Sequence, residues 1–413
     1  MGNLRKGEKA LSVAVKSLPI ESKKPSRPRI SRRVENLKPS GIRRFFDLVL
    51  GRADILSLGV GEPDSSTPWG IREQGIFSLE KGHTSYTSNQ GYLPFRQAIA
   101  RWIEREMHVS YSPEKEILVT VGVSEALDLA CRALLEPDDE VLIPEPCFVS
   151  YPALVELAGG VPVLVPTYAD AQFLPSIEDL ERNWSPRTKA LIVNFPGNPT
   201  GAIIEPEYMK EIAHWVINKD LVLISDEIYS SLTYDTHHTC FSSMPGMKER
   251  TILLHGLSKA WAMTGWRIGF AAAPDDILAA MTKIHQYQIM CAGITGQMAG
   301  IEALDHGDDE CRRMKDDYAR RRRFIVKSLN EMGLSCHMPG GAFYVFPSIR
   351  STGMTSEQFA LRLLEEQAVA VVPGDAFGPS GEGFVRCSYA TSLDVIEKAM
   401  EKMKAFMGSL QAR

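Results

Sequence analysis

Six kinds of polar group fall just beyond the ends of short apolar runs. After "KALIVNF" (189–195) the chain passes through "PGNPTG", a Pro- and Gly-dense turn that carries Asn198. After "LVLIS" (221–225) come Asp226 and Tyr229, and after "RTILLHG" (250–256) comes Lys259, with Arg267 eight residues further on. "EILVTVG" (116–122) is followed by Val123 and Ser124 at the start of "SEALDLACRALL", where free backbone N–H groups and the helix dipole favour an anion. An amine, a carboxylate, a phenol, an amide, a guanidinium and an anion-ready helix start suit one kind of ligand. It is an aromatic aldehyde with a pyridine nitrogen, a phenolic oxygen and a phosphate. Lysine condenses with an aldehyde once its pKa is low enough to supply free amine. An Asp beside the pyridine nitrogen keeps it protonated, so that the ring draws electrons from a carbanion. Tyr and Asn hydrogen-bond the phenolic oxygen, and Arg with the helix N–H groups holds the phosphate. The ligand with all of these features is pyridoxal phosphate.

Strand ends must be brought together for these groups to meet. From about residue 115 to 275, near-continuous apolar runs alternate with amphipathic helical patterns such as "EPEYMKEIAHWVINK" (205–219). That pattern predicts an α/β fold with a mostly parallel central sheet, of a seven-stranded type, covered by helices on both faces. Ligands of such sheets bind outside the carboxyl ends of the strands, which is where these residues lie. After about 305 a charged helix (308–333) leads into "GGAFYVFPSI", a helix over 355–368, "VAVVPG", "GFVRCSYA" and a last helix (392–409). This predicts a smaller α+β domain built from both ends of the chain. The expected boundaries are a large cofactor domain over 64–304, a small domain over 35–63 with 305–413, and a basic, disordered extension over 1–34.

"NFPGNPTG", "SDEIYS" and "GLSKAWAMTGWRIGF", in this order and spacing, resemble the class I/II aminotransferases of fold type I, over about residues 35–405. The resemblance implies that Lys259 binds the cofactor covalently and shuttles the proton at the substrate Cα. It implies Asp226 as partner of the ring nitrogen, Tyr229 and Asn198 on the phenolic oxygen, and Arg267, Ser124 and the backbone of Val123 on the phosphate. Phe148 in "EPCFVSYP" takes the place of the ring that stacks on the cofactor, where many relatives carry Trp or Tyr. Arg386 in "GFVRCSYA", helped by Asn198 and the backbone of Gly61, takes that of the α-carboxylate fork. Tyr86 in "HTSYTSNQG" resembles a tyrosine that reaches the phosphate of a neighbouring subunit, which implies a homodimer with shared sites. The implied reaction moves an amino group from an amino acid, aspartate or aromatic, to a 2-oxo acid such as 2-oxoglutarate by a ping-pong cycle.

Singly, each residue has a structural alternative. Asp226 and Ser124 could be helix caps, Tyr229 and Phe148 core aromatics, Arg386 half of an ion pair and Tyr86 a loop aromatic. Their joint placement at strand ends argues for the cofactor. The side-chain pocket carries no motif, although 38–45 and 283–304 are expected to border it. Ile42 and Tyr92 would suit an apolar substrate, Arg43 or His285 an acidic one.

Composition narrows the rest. The 413 residues carry a formal net charge of −5. Residues 1–34 hold ten Lys/Arg against Glu8 and Glu21, so this head is +8 and the body −13. No apolar run approaches a membrane span. Seven cysteines lie singly with no CxxC pair, and His237 and His238 lack a second ligand pair at helical offset, so no metal site is expected and a reducing cytoplasm is. No nucleic-acid partner is expected, since the Pro-containing head offers no helix-turn-helix pattern. Three rivals stay open. They are an N-acetyl-diaminopimelate aminotransferase, a pyridoxal-phosphate carbon–sulfur lyase on the same scaffold, and a non-enzymatic cofactor-sensing regulator.

Overall fold

The computed structural model describes residues 29–37, 39, 41, 51–52 and 54–411. It divides into Met1–Asn36 and Leu37–Arg413. In the first unit the described residues include one exposed helix, Arg32–Asn36, so most of the basic head lies outside the described residues.

The second unit is built on a seven-stranded sheet. Its strands are β2 (Ile117–Thr120), β3 (Glu140–Glu145), β4 (Val161–Pro166), β5 (Thr188–Asn194), β6 (Val222–Asp226), β7 (Thr251–Gly256) and β8 (Gly269–Ala272), after a short β1 (Leu56–Ser57) elsewhere. The spatial order is β2-β8-β7-β6-β5-β3-β4. All pairings are parallel except those of β8, which runs antiparallel to both β2 and β7. The expected mostly parallel sheet is present, and β8 is the strand that the apolar runs did not announce. It is only four residues long and glycine-led, so it carries little period of its own.

The strands read as apolar throughout because both faces are covered. Val141, Ile143, Ala190, Ile192, Ile224, Ile252 and Leu254 join one core, packed with helices Gly122–Leu134 and Asp275–Gln288. Leu142, Leu191, Val193 and Leu223 alternate to the other face and meet helix Pro206–Asn218. Each fully buried aliphatic side chain contributes about 1.5–3 kcal/mol, so a one-residue slip of any strand would cost several such contacts.

Register then places the chemistry. Asn194, the last residue of β5, lies opposite Asp226, the last of β6, and Asp226 lies opposite Leu254 of β7. Parallel neighbours thus deliver their following residues to one edge. Gly269 opens β8 opposite Gly256, and a Cβ there would come within 2.7 Å of the Val123 backbone nitrogen. Glycine at that point lets the start of helix Gly122–Leu134 settle against the strands around Lys259.

The remaining elements form a three-stranded antiparallel sheet and a two-stranded parallel pair. β9 (Tyr344–Val345), β11 (Val372–Pro373) and β12 (Val385–Ser388) are ordered β11-β12-β9, and β1 pairs with β10 (Val369–Ala370). Helices Asp308–Glu331, Ser356–Gln367 and Leu393–Gln411 enclose a second large core with Tyr318, Phe343, Phe359 and Phe406. Thr355 caps the middle helix through a reciprocal bond with Gln358, worth about 1 kcal/mol. β12 carries Arg386 to the edge of the seven-stranded sheet, where its guanidinium meets Asn198.

Candidate active site

A cavity of about 520 Å³ opens at the carboxyl ends of β5, β6 and β7. Its lining includes ten of the eleven residues to which the resemblance gives cofactor or α-carboxylate roles: Gly61, Val123, Ser124, Phe148, Asn198, Asp226, Tyr229, Lys259, Arg267 and Arg386. Tyr86 does not line it and is 81% exposed.

Lys259 is partly buried, and its Nζ donates a 2.7 Å hydrogen bond to the Gly61 carbonyl. Tyr229 and Phe343 lie with ring centroids 5.9 and 5.8 Å from that nitrogen. Burial pushes the amine down to about 8, helped by the positive charge of Arg386, while Glu62 opposes the shift. Free amine is therefore far more abundant near neutrality than on an ordinary lysine.

Asp226 is buried, and burial raises its carboxyl to about 6. Hydrogen bonds from Tyr151 Oη to Oδ2 (2.8 Å) and from the Ile228 N–H to Oδ1 (3.2 Å) pull it back toward the charged form. The capping alternative survives only as this two-residue turn, because the next element is a short 3₁₀ segment, Ser230–Leu232, rather than an α-helix.

A polar relay joins the strands. Asn194 Nδ2 donates to the Asp226 carbonyl (2.8 Å), and Asn194 Oδ1 accepts from the Asn198 N–H (3.0 Å). Asn198 Oδ1 accepts from Arg386 Nη1 (2.9 Å), and Arg386 Nη2 donates to the Gly59 carbonyl (2.6 Å). With its oxygen committed to Arg386, Asn198 has its amide NH₂ left to offer a ligand. Arg386 is 2% exposed and stands over the Tyr344 ring at 4.4 Å, with no carboxylate paired to it among the described residues. Its Nε has no hydrogen-bond partner among the described residues. A buried guanidinium in that condition calls for an anion.

The anion-ready corner is equally specific. Gly122 has φ +72°, and a Cβ there would fall 2.6 Å from Arg267 Nη2. Arg267, itself at φ +55°, is exposed and touches the Thr264 carbonyl through Nη1. Ser124 is exposed at the first turn of helix Gly122–Leu134. Phe148 is partly buried beside the cavity, edge-on to Tyr151 with centroids 5.7 Å apart.

Several lining residues were not legible beforehand. Tyr151 holds Asp226, and Tyr344 Oη lies 2.9 Å from Tyr229 Oη. Burial holds both Tyr229 and Tyr344 above the usual phenol range, so both stay neutral. Tyr344 also excludes a side chain at position 61, where a Cβ would meet its hydroxyl at 2.7 Å. The only forewarning of Tyr151 was its place three residues after Phe148.

The suggested pocket wall is corrected in part. His285 is fully buried between helices, with Nδ1 2.8 Å from Glu125 Oε1, and does not reach the cavity. Neither Tyr92 nor any residue of 283–304 is among those lining it in this chain. Ile42 and Arg43 lie outside the described residues.

A buried carboxylate held by a phenol and a backbone N–H, a lysine with a lowered pKa, a guanidinium whose Nε has no partner among the described residues and a glycine-lined anion corner within one 520 Å³ cavity fit pyridoxal phosphate bound with an amino acid. The model for aminotransferase class I and II matches residues 53–403. The chain is 54% identical to the putative aminotransferase YugH of Bacillus subtilis, over 91% of this chain and 97% of that one. It is 44% identical to an aspartate aminotransferase of Pyrococcus abyssi, with the same coverage. Among solved structures, the aromatic aminotransferase of Pyrococcus horikoshii matches with a TM-score of 0.85 at 44% identity, covering 89% of this chain and 99% of that one.

Proposed function

The chain belongs to the class I and II aminotransferases, pyridoxal-phosphate-dependent transaminases, and on that premise we propose which of its residues do the work and on what substrates. When bound, the cofactor supplies an electron sink for the bond broken at the substrate Cα.

Lys259 would be the covalent anchor and the base: its Nζ, with a pKa near 8, would take the proton from the substrate Cα and hand it to the cofactor carbon that takes over the amino group. Asp226 would hold the ring-nitrogen proton, with its carboxylate fixed by the hydrogen bond from Tyr151. Tyr229 and the Asn198 amide would donate to the phenolic oxygen, Phe148 would pack on the ring, and Arg267 with Ser124 and the Val123 N–H would hold the phosphate. Arg386 grips the α-carboxylate as a fork, a contact worth about 1.5–3 kcal/mol. The Gly61 carbonyl, which accepts from Lys259 here, helps to set the amine and the substrate.

The amino donor is aspartate or an aromatic amino acid, and the acceptor a 2-oxo acid such as 2-oxoglutarate. Support comes from the two kinds of relative above and from an acid-binding end, Arg386, set beside the rings of Tyr344, Tyr229 and Phe148. Residues 64–304 carry the cofactor, and 35–63 with 305–413 form the smaller domain. The working form is a cytoplasmic homodimer that binds no nucleic acid, with Tyr86 reaching the partner's phosphate. Trp69, Ile76, Phe77 and Leu79 on one helix, with Tyr86 and Tyr287, are all at least 46% exposed, which favours a covered surface. No described helix is long and apolar enough to cross a membrane.

The observation that carries the assignment is the meeting of Lys259, Asp226 and Arg386 in one cavity. Incubation of the holoenzyme with about twenty amino acids in turn, read as pyridoxamine phosphate formed, tests it. Aspartate or aromatic donors should lead, and Lys259→Ala should abolish both turnover and the visible absorbance of lysine-bound cofactor. Pyruvate and ammonia released without a 2-oxo acid would favour the lyase instead.

A further inference from the structure

His285 does not reach the cavity, yet two hydrogen bonds connect it to the anion corner. Its Nδ1 lies 2.8 Å from Oε1 of Glu125, and Oε2 of the same carboxylate accepts the Val121 N–H at 2.5 Å. Val121 is the N-cap of helix Gly122–Leu134, and no side chain caps that helix. The first N–H groups of a helix have no partner within it, so an apolar N-cap leaves those of Gly122, Val123 and Ser124 to a ligand. Glu125 takes only the N–H ahead of them, the backward half of a capping box made from one residue further along.

The pair is enclosed. The His285 side chain is fully buried and that of Glu125 is 8% exposed. An ionised carboxylate can only accept, so the proton of this bond sits on Nδ1. Nε2 of His285 is buried with no partner among the described residues, and the ring therefore makes its polar contact through Glu125. The His285 carbonyl takes the N–H groups of Ile289 (3.0 Å) and Met290 (3.2 Å), which closes the end of helix Asp275–Gln288 and fixes the backbone under the ring. Gln288 Nε2 on Asp128 Oδ2 (3.4 Å) ties the same two helices again, so joining them does not in itself require a histidine at 285.

A glutamate in the first turn of a helix suits the dipole but opposes a second anion there. A hydrogen bond to the imidazole draws off part of that charge and pins the carboxylate where it holds Val121. We propose that Glu125 and His285 are positioning residues for the cofactor phosphate. The carboxylate fixes the turn that leads into the helix, and the imidazole N–H restrains the carboxylate so that a phosphate binds beside it. This rests on the placement of the phosphate at Val123, Ser124 and Arg267.

The full-length chain is loaded with pyridoxal phosphate or with pyridoxal, and the rate at which each leaves is read from the visible absorbance of lysine-bound cofactor. His285→Leu, which fills the space without a donor, should speed loss of pyridoxal phosphate at least about tenfold and of pyridoxal less than about threefold. Adding Glu125→Gln, which removes the charge but keeps an acceptor oxygen for Val121, should bring loss of pyridoxal phosphate back to within about threefold of wild type. Gln288→Ala cuts the other tie between the helices and should change neither rate. The proposal is overturned if His285→Leu leaves both rates as they were or speeds both equally, if Glu125→Gln brings no relief, or if Gln288→Ala has the effect of His285→Leu. Arg267→Gln separates this proposal from the reading beneath it. If that variant also keeps pyridoxal phosphate as wild type does, the phosphate lies elsewhere and both fall; if it loses the cofactor faster while His285→Leu does not, only the positioning role falls.

Discussion

Tyr151 donates a 2.8 Å hydrogen bond to Oδ2 of Asp226 from within the core, braced edge-on by Phe148. Two opposed influences therefore set this carboxyl, burial raising it and the phenol lowering it. Removing the phenol should make Asp226 a weaker holder of the ring-nitrogen proton. Tyr151→Phe is expected to lower kcat about tenfold, corresponding to a charge-assisted bond at the lower end of its range, with the cofactor still bound. Steady-state kinetics beside the visible spectrum check this, and an unchanged kcat would remove Tyr151 from the machinery.

Lys259 sets the pH dependence of cofactor capture. Its amine lies near 8 rather than at the ordinary lysine value, because burial penalises the ammonium form. The group is lowered, so protonation on the acid side of 8 removes the nucleophile. The rate at which cofactor-free protein takes up pyridoxal phosphate should rise about tenfold per pH unit below 8 and level off above it. Stopped-flow absorbance between pH 6 and 10 measures it. A rate still climbing steeply at pH 10 would mean an ordinary lysine.

Arg386 needs both its charge and its shape. Arg386→Leu should reduce kcat/KM for every amino donor by about 10- to 150-fold, the loss of a charge-assisted carboxylate contact of 1.5–3 kcal/mol. Arg386→Lys should restore little, because a point charge cannot span Asn198, the Gly59 carbonyl and a carboxylate together. The cofactor should stay bound in both variants, which separates substrate binding from cofactor binding.

Gly122 is a test of the anion corner. At φ +72°, alanine there carries a backbone cost of about 1–2 kcal/mol and pushes against Arg267 Nη2. Gly122→Ala should speed dissociation of pyridoxal phosphate at least about tenfold, with a smaller effect on retention of pyridoxal lacking the phosphate. Equal effects on both would indicate general damage to the fold.

His285 and Glu125 show where reading a sequence stops. A histidine in a helical run looks the same whether it faces a pocket or a buried carboxylate, and only packing chose the second. Tyr151 and Tyr344 were overlooked for the related reason that an aromatic in an apolar stretch reads as core. Both are core residues by burial, and both also turn a hydroxyl toward a site residue. β8 escaped notice because it takes its place from two antiparallel partners rather than from its own four residues.

By itself the sequence determined which functional groups stand at the ends of which strands, because apolar runs and turn residues are local and their order along the chain is covalent. Lys259, Asp226, Tyr229, Asn198 and Arg267 are legible on those terms. Only the tertiary structure decided what each polar atom meets: Asn194 bridging Asp226 to Asn198, Arg386 closing on Asn198 from another sheet, and Tyr151 beneath Asp226. It also decided the lysine and aspartate pKa values, since desolvation depends on residues far apart in the chain that pack around one group.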